Sequence, residues 1–275
     1  MVTTQPTAAR LPRTVRRPGT LKGLWLAWRL PVGATILLSA GFVLLWNWAI
    51  AFNHWQPWFV PPPSTVADIL AHHSDQYSLD LWTTIKEVLL GFLLGNGGGF
   101  ALALIFLVSR RASLIVYPFA IGFQAVPVVV FVPVLTLILG HGLAVIVIIT
   151  TLICFFPTLL SVSRGLKTIS PNAGDLFHLT AATRWEYVRY LALPWSLPYL
   201  FNGLRTGAPA SVLGAIVAEW VAGTHGIGIG MATQVQEAEG PGLLWTFGIL
   251  SIILVLVLTA VVAMVERAAL WWHGY

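Results

Sequence analysis

The stretch from Ala112 to Ser163 constrains the fold more than any other, because it contains no Lys, Arg, Asp or Glu. A helix rises ~1.5 Å per residue and crosses a bilayer with about 20 mostly apolar residues, so this stretch is too long for one crossing. Gly140-His141-Gly142 provides a turn that divides it. The whole chain is 57% hydrophobic and 9% charged, a composition that soluble domains of this size do not have. The sequence therefore predicts an integral membrane protein.

Six segments are apolar for long enough to cross a bilayer as helices, whereas the strands of a barrel would be about ten residues long and alternate in polarity. We therefore expect an all-α membrane protein with six transmembrane helices. A basic tail with an interfacial stretch, residues 1–30, precedes a six-helix domain, residues 31–275. The predicted spans are residues 31–52, 82–107, 112–139, 143–163, 195–222 and 243–265.

The basic residues predict the orientation of these spans, because Lys and Arg in short loops are retained in the cytoplasm. All but two of the fifteen basic residues, Lys86 and Arg205, fall on one side of the six spans. Both termini are therefore expected in the cytoplasm, and the N-terminal arginines are interpreted as orientation signals that touch anionic lipid rather than nucleic acid. The opposite connections, residues 53–81, 140–142 and 223–242, hold no basic residue but contain Asp68, Asp75, Asp80, Glu237 and Glu239.

Residues 164–194, called the polar segment below, interrupt the apolar sequence between the fourth and fifth spans. Ser170-Pro171 is a favourable helix start, because Ser caps free backbone N–H groups and Pro fits the first helical position. We expect one short helix over residues 172–179 and a second from Thr183 to Leu193-Pro194, where the fifth span begins. The polar segment is therefore predicted to be an exposed cytoplasmic helix-turn-helix through which another protein drives this one.

The third span is rich in proline, and each proline removes a backbone donor, so we expect a kinked or interrupted helix. Broken helices at membrane depth are tolerated where protein or water covers the freed carbonyls. We therefore predict that Gln124, Pro127 and Pro133 line a translocation pathway. A proline-kinked packing helix is the alternative.

Charged residues inside spans mark further candidates for the pathway. Arg205 is expected near mid-membrane in the fifth span and Glu219 near its outer end, so each must face a helix, a subunit or an aqueous path; a structural role is the alternative. Lys86 and Glu87, near the outer end of the second span, are expected to reach the interface. The glycine run at residues 95–99 is interpreted as a site of close helix packing.

Several kinds of chemistry have no sequence support. The glycine run is not followed by the Lys of a phosphate-binding loop, so we expect no ATP hydrolysis by this chain. The chain has one cysteine, Cys154, and it lacks paired carboxylates, a Ser/His pair or a metal constellation. We therefore expect a protein that is not an enzyme and that carries no cofactor or metal.

The chain resembles a permease subunit of the bacterial binding-protein-dependent ABC importers, in the nitrate, sulfonate and taurine group. The resemblance covers nearly the whole chain beyond the N-terminal tail, and the order and spacing of the matching segments are more specific than any one of them. These segments are Leu81-Trp82-Thr83-Thr84 with Gly91-Phe92, Gln124-Ala125-Val126-Pro127 with Pro133, Phe155-Phe156-Pro157, Asp175 to Pro194, Gly203-Leu204-Arg205, Val217-Ala218-Glu219 with Gly226-Ile227-Gly228, and Glu266-Arg267.

In that family the helix-turn-helix carries a Glu-Ala-Ala-x-x-x-Gly pattern at a set distance from a terminal Leu-Pro. Counting back from Pro194 places Ala181 at the glycine position and Asp175 at the glutamate position, and both depart from the pattern. Asp175 keeps the charge on a shorter side chain, whereas Ala181 adopts a left-handed turn less readily than Gly.

The resemblance implies a type I ABC-importer-like fold in the bacterial inner membrane. Two permease subunits would form the pathway, two ATPase subunits holding ATP and Mg would bind the polar segment, and an external solute-binding protein would deliver the substrate. A homodimer of permeases is favoured, and a heterodimer is the alternative. The residues implied in coupling to the ATPases are Asp175, Phe177, Leu179, Ala181, Arg184, Trp185, Glu186, Tyr187, Arg189 and Pro194.

The resemblance also implies a range of substrates: nitrate, bicarbonate, sulfonates, taurine, pyrimidine precursors or flavins. We expect a small organic solute, with anions first, because Arg205 would suit an anion. The competing hypothesis is a stand-alone secondary carrier or channel, in which the polar segment would be an ordinary loop. That hypothesis does not explain a bounded amphipathic helix-turn-helix that ends in Leu-Pro.

Overall fold

The computed structural model describes residues 37, 40–57, 59–180, 182–234 and 240–271, and every regular element in these residues is helical. The chain divides into two units, Met1–His54 and Trp55–Tyr275. The first unit contains one apolar helix, α1 (Ala40–Asn53). The predicted basic tail and the beginning of the first predicted span lie outside the described residues.

The second unit contains the remaining helices. Short 3₁₀ helices at Ser74–Gln76 and Val128–Val130 and a π-helical turn at Val188–Ala192 lie between them. The helices are α2 (Pro63–His72), α3 (Ser78–Val108), α4 (Arg110–Gln124), α5 (Phe131–Leu139), α6 (Leu143–Leu166), α7 (Pro171–Leu179), α8 (Arg184–Tyr187), α9 (Leu193–Ala222), α10 (Ile227–Gln234) and α11 (Gly240–Ala269).

Three helices among the described residues, α3, α6 and α11, are long and apolar enough to cross a membrane. Two bent pairs raise that number to five if each pair crosses once: α4 with α5, bent by 88°, and α8–α9 with α10, bent by 54°. These elements agree with an all-α membrane protein of three to five candidate spans in the described part, and the count of six stays a prediction.

The predicted interruption of the third span is confirmed. Helix α4 ends at Gln124, and α5 begins at Phe131 after the 3₁₀ turn. Pro127 lies in the break with an extended backbone, whereas Pro118 and Pro133 lie inside α4 and α5. The break therefore coincides with only one of the three prolines, Pro127. A proline can remain inside a helix when neighbouring groups satisfy the freed carbonyl.

Helices α3, α6 and α9 form the centre of the second unit, and small residues let their backbones approach. Gly91, Gly95 and Gly99, four residues apart on α3, face α6. A Cβ atom at Gly95 would contact the Thr151 carbonyl and lie 2.8 Å from the Cβ atom of Cys154. The interpretation of the glycine run as a packing site is confirmed for this face of the helix.

One buried polar pair accompanies this close contact. The Thr158 hydroxyl of α6 donates to the Asn96 side-chain oxygen of α3 at 2.6 Å, and the Asn96 amide donates to the Phe92 carbonyl at 2.7 Å. Asn96 is 3% exposed and Thr158 is fully buried. Because both side chains are buried and each is the other's partner, the pair favours one register of α3 against α6.

The two sides of the glycine run give a matched test. Gly95→Ala should lower the free energy of unfolding by about 1–3 kcal/mol, because the added methyl group meets α6. Gly97→Ala should leave it unchanged or raise it slightly, since no atom lies within 4 Å of a Cβ at that position and Ala favours a helix over Gly. Thermal unfolding in detergent measures both, and equal effects of the two substitutions would contradict the packing assignment.

Candidate functional site

The polar segment folds as two helices joined by a short turn, as predicted. Helix α7 spans Pro171–Leu179, and the Ser170 hydroxyl accepts a hydrogen bond from the Ala173 N–H at 3.2 Å. Helix α8 begins at Arg184, after Thr183. Ala181, the residue at the family's glycine position, lies outside the described residues, so its effect on the turn stays a prediction.

The predicted boundary at Leu193-Pro194 is not a break. Helix α8 continues through the π-helical turn Val188–Ala192 into α9, and the Leu193 N–H donates to the Val188 carbonyl five residues earlier. Pro194 has no N–H for a carbonyl in the preceding turn, and a widened turn is one way in which a helix accommodates that loss. The second helix of the polar segment is therefore continuous with the fifth predicted span.

Thr183 and Glu186 form a capping box at the start of α8. The Thr183 N–H donates to the Glu186 carboxylate at 2.6 Å, and the Glu186 N–H donates to the Thr183 hydroxyl oxygen at 3.3 Å. Two hydrogen bonds from Thr183 lower the pKa of Glu186 below its ordinary value, and the one from the backbone N–H has a larger effect than the one from the hydroxyl. The Glu186 carboxylate thus serves its own helix start.

Two aromatic residues join the two helices of the polar segment. The Phe177 ring meets the Tyr187 ring edge to face, with 5.8 Å between centroids. Both side chains are half-buried, whereas Leu179 is 85% exposed and Trp185 is 70% exposed. The side chains of Asp175, Arg184 and Arg189 are also exposed, as are those of Leu176 and Tyr190. The polar segment therefore offers both large apolar side chains and charges to a partner.

The residues predicted to line a pathway lie in three separate environments. Gln124, Pro127 and Pro133 are exposed around the break between α4 and α5. Arg205, on α9, lies with its Nε atom 2.6 Å from the Glu266 Oε2 atom of α11. Glu219 lies fourteen residues further along α9, or roughly 21 Å away at the usual rise. The structure does not gather these residues into one site.

The Arg205–Glu266 ion pair joins two residues of the segments that carry the family resemblance. Glu266 is 4% exposed and lies one turn before the end of α11, whereas just over half of the Arg205 side chain is exposed. A buried carboxylate needs a counter-charge, and Arg205 supplies it. Arg205 therefore connects α9 to the cytoplasmic end predicted for α11.

Glu219 is fully buried at the bend between α9 and α10. Its carboxylate accepts a hydrogen bond from the Thr84 hydroxyl of α3 at 2.6 Å and one from the Gly228 N–H of α10 at 2.5 Å. Thr84 also accepts from the Ile227 N–H at 2.8 Å, and Asp80 accepts from the Gly226 N–H at 2.9 Å. Side chains of α3 and α9 thus satisfy the free N–H groups at the start of α10.

The same bend explains the two glycines in Gly226-Ile227-Gly228. Gly226 has a φ of +132°, a conformation that favours glycine, and a Cβ atom there would lie 2.5 Å from the Glu219 carboxyl carbon. A Cβ atom at Gly228 would meet the Ile216 carbonyl and the Glu219 side chain. The glycines are required because the bend wraps directly around a buried carboxyl group.

Glu87 was expected at the membrane interface, and that prediction is wrong. Glu87 is 2% exposed, and its carboxyl group lies close to that of Glu219. Lys86 is exposed, as expected, and its ammonium lies 5.4 Å from the Trp82 ring centroid.

Sequence reasoning missed the group formed by Asp80, Thr84 and Glu87. The spacing of these residues, i, i+4 and i+7, places them on one face of α3. The same face continues into Gly91 and Gly95, which pack against α6. That continuity was the available signal, because a stripe of small and polar residues on an apolar helix marks the side that faces other helices.

Residues 89–270 match the family described as the binding-protein-dependent transport system inner membrane component. The formylaminopyrimidine transport permease protein ThiX of Halalkalibacterium halodurans is 28% identical over 79% of this chain and 87% of its own length. The riboflavin transport system permease protein RibX of Chloroflexus aurantiacus is 28% identical over 91% and 92% of the two chains. The taurine transport system permease protein TauC of Escherichia coli is 24% identical over 90% and 94%.

A solved structure agrees with the fold. A chain of the MetNI methionine ABC transporter in an inward-facing conformation matches with a TM-score of 0.57 and 20% sequence identity. The match covers 69% of this chain and 94% of that chain. At this identity the likeness concerns the arrangement of helices.

Substitution of Glu219 tests the buried bend. Glu219→Leu should lower the free energy of unfolding by roughly 2–6 kcal/mol, because it leaves the Thr84 hydroxyl and the Gly228 N–H buried without an acceptor. Glu219→Gln retains one acceptor oxygen and should lower it less. Thermal unfolding in detergent provides the comparison. A Leu variant as stable as the wild-type protein would show that the carboxylate does not hold the bend.

Substitution of Thr183 tests the capping box. Thr183→Val should speed hydrogen exchange of the amides in Trp185–Val188 by roughly 2- to 30-fold, since the cap is lost. Thr183→Ser keeps the hydroxyl and is the matched control. Because the pKa of Glu186 is lowered, the cap should be present at neutral pH and lost as the pH falls through that lowered value. Equal exchange in the Val and Ser variants would contradict the assignment.

Proposed function

The chain belongs to the binding-protein-dependent transport system inner membrane components, the permease subunits of ABC importers, and we propose that two permeases form one solute pathway driven by separate ATPase subunits. In this proposal six transmembrane helices cross the bacterial inner membrane with both termini in the cytoplasm. ATP and Mg bind the ATPases, and this chain performs no bond chemistry. A homodimer is favoured over a heterodimer.

The observation that carries the coupling proposal is the continuity of α8 with α9. An ATPase that moves the polar segment would also move α9, because no flexible loop separates them. Helix α9 packs against α3, α6 and α11, so its displacement would reach the centre of the second unit. Rigid-body motion of this kind is an established route between outward-facing and inward-facing states.

The exposed side chains of the polar segment divide into two proposed roles. Leu179 and Trp185 would be apolar anchors in a cleft of the ATPase, since large side chains dominate the energy of such interfaces. Asp175, Arg184 and Arg189 would pair with opposite charges and set the orientation. Phe177 and Tyr187 would act from within, because their mutual contact keeps the two helices together as they move.

For the pathway we propose the broken span. Gln124, Pro127 and Pro133 are exposed, and an exposed break in a membrane helix requires cover from protein or water. A second permease subunit across a water-filled pathway would supply both. We assign Glu219 to the bend rather than to the pathway surface, because its carboxylate is enclosed by α3, α9 and α10.

The substrate is proposed to be a small organic solute or anion. The relatives named for formylaminopyrimidine, riboflavin and taurine span aromatic and sulfonate compounds. Glu266 balances the charge of Arg205, so the arginine by itself does not favour an anion strongly. An external solute-binding protein would select the substrate and meet the acidic connections at residues 53–81 and 223–242.

Co-purification of an ATPase tests the proposal. The tagged chain is expressed with the ATPase from its own operon and isolated from membranes in a mild detergent. Asp175→Arg and Arg184→Glu should each reduce the ATPase recovered per permease by about tenfold or more. Each substitution reverses a charge and so places it against a like charge on the ATPase. Lys86→Glu is the matched control, since Lys86 is an exposed cation on the side of the membrane predicted to be external.

The outcomes separate the two functional classes. Loss of the ATPase in the polar-segment variants, with retention in the control, supports coupling through this segment. If the wild-type chain retains no ATPase, the importer proposal fails and the stand-alone carrier or channel takes its place. Equal losses in all three variants would show that the polar segment is not the docking surface.

A further inference from the structure

A small cavity of ≈ 90 Å³ lies where α3, α4 and α6 meet, near the polar segment. Phe106 and Leu107 of α3 form its apolar side, and Ser113, Ser163 and Lys167 supply its polar groups. Pockets for organic solutes usually measure about 300–1,000 Å³. The cavity is therefore too small to be a station on the transport pathway, although it has room for one small polar group.

The Ser163 hydroxyl points to a ligand in this cavity. Ser163 is 4% exposed, and its Oγ atom has no hydrogen-bond partner among the described residues. Leaving a buried hydroxyl unpaired costs about 1–3 kcal/mol. A group that accepts its hydrogen bond inside the cavity would remove that cost.

The charges around the cavity favour an anion as this group. The Lys167 ammonium lies 4.2 Å from the centroid of the Tyr117 ring of α4. Within the described part of the chain, no carboxylate lies within 4.0 Å of Lys167, Arg111 or Arg164. The positive charges of these three residues, at the adjoining ends of α4 and α6, are therefore not balanced by a carboxylate among the described residues.

The depth of the cavity identifies the source of the anion. Its lining comes from the last two turns of α3, the first turn of α4 and the last turn of α6, with Lys167 directly after it. In the predicted topology these turns lie at the membrane surface that the basic residues assign to the cytoplasm. Phospholipid phosphates occupy this level, and basic pockets between transmembrane helices bind anionic headgroups there. The adjacent apolar side chains suit the beginning of an acyl chain.

We propose that this cavity is a binding site for the phosphate group of an anionic phospholipid, with the Ser163 hydroxyl and the Lys167 ammonium as donors. The lipid would join the ends of α3, α4 and α6 beside the polar segment. The proposal requires only that these spans end at the membrane surface, so it does not depend on the identity of the ATPase or of the substrate.

The test measures lipid retention by the full chain. The protein is reconstituted in nanodiscs of phosphatidylcholine with or without phosphatidylglycerol, released, and the bound phosphatidylglycerol is counted by native mass spectrometry. Lys167→Gln should lower the retained phosphatidylglycerol by about fivefold, the effect of one basic residue near an anionic surface. Lys86→Gln is the matched control, because Lys86 also lies over an aromatic ring but near the opposite end of α3.

Ser163→Ala distinguishes the phosphate from an ordered water molecule. It should reduce the retained phosphatidylglycerol while leaving the unfolding temperature in pure phosphatidylcholine unchanged or higher, since the unpaired hydroxyl is gone. Lys167→Arg should restore retention if Lys167→Gln acts through charge rather than through misfolding.

Three results would overturn the proposal. Retention that is unchanged in both Lys167→Gln and Ser163→Ala would exclude the lipid from the cavity. An equal loss of unfolding temperature in Ser163→Ala with and without phosphatidylglycerol would identify water as the occupant. Stabilisation of the wild-type protein by inorganic phosphate in pure phosphatidylcholine, equal to that by phosphatidylglycerol, would identify free phosphate instead.

Discussion

Three glycines on one face of α3 bring its backbone close to α6, and the arrangement of the second unit depends on this contact. Lipid tails are as apolar as leucine, so the hydrophobic effect does not drive helices together within a bilayer. Gly91, Gly95 and Gly99 instead let α3 lie against the backbone of α6, where dispersion forces act over many atoms. The Asn96–Thr158 hydrogen bond then favours one register over its neighbours.

The same face of α3 has a second role beyond the glycines. Asp80, Thr84 and Glu87 continue this stripe toward the start of α3 and meet the bend between α9 and α10. Close packing of α3 thus carries this polar group into the protein, where Thr84 and Glu87 are buried and Asp80 stays partly exposed. Each of its acceptors must find a donor, and the free N–H groups at the start of α10 supply several of them.

Helix α9 links the polar segment, where the ATPase is proposed to bind, to the buried bend between α9 and α10. It continues from the polar segment through a π-helical turn, pairs with α11 through Arg205 and Glu266, and carries the buried Glu219 in its last turn. These contacts hold it at both ends and near its middle. A helix held in this way would pass a displacement of the polar segment to the helices packed against it, as the proposed coupling requires.

The sequence by itself determined the membrane class, the two helices of the polar segment, the interrupted third span and the role of Gly95 and Gly99. These features depend on local properties: length, composition, capping residues and proline. Only the tertiary structure decided that Glu87 is buried, that Arg205 meets Glu266 and that α8 continues into α9. A soluble helix shows its inner face by its apolar side, but a membrane helix is apolar all round. Which helices face one another, and so which charged residues are neighbours, therefore depends on contacts between residues far apart in the chain.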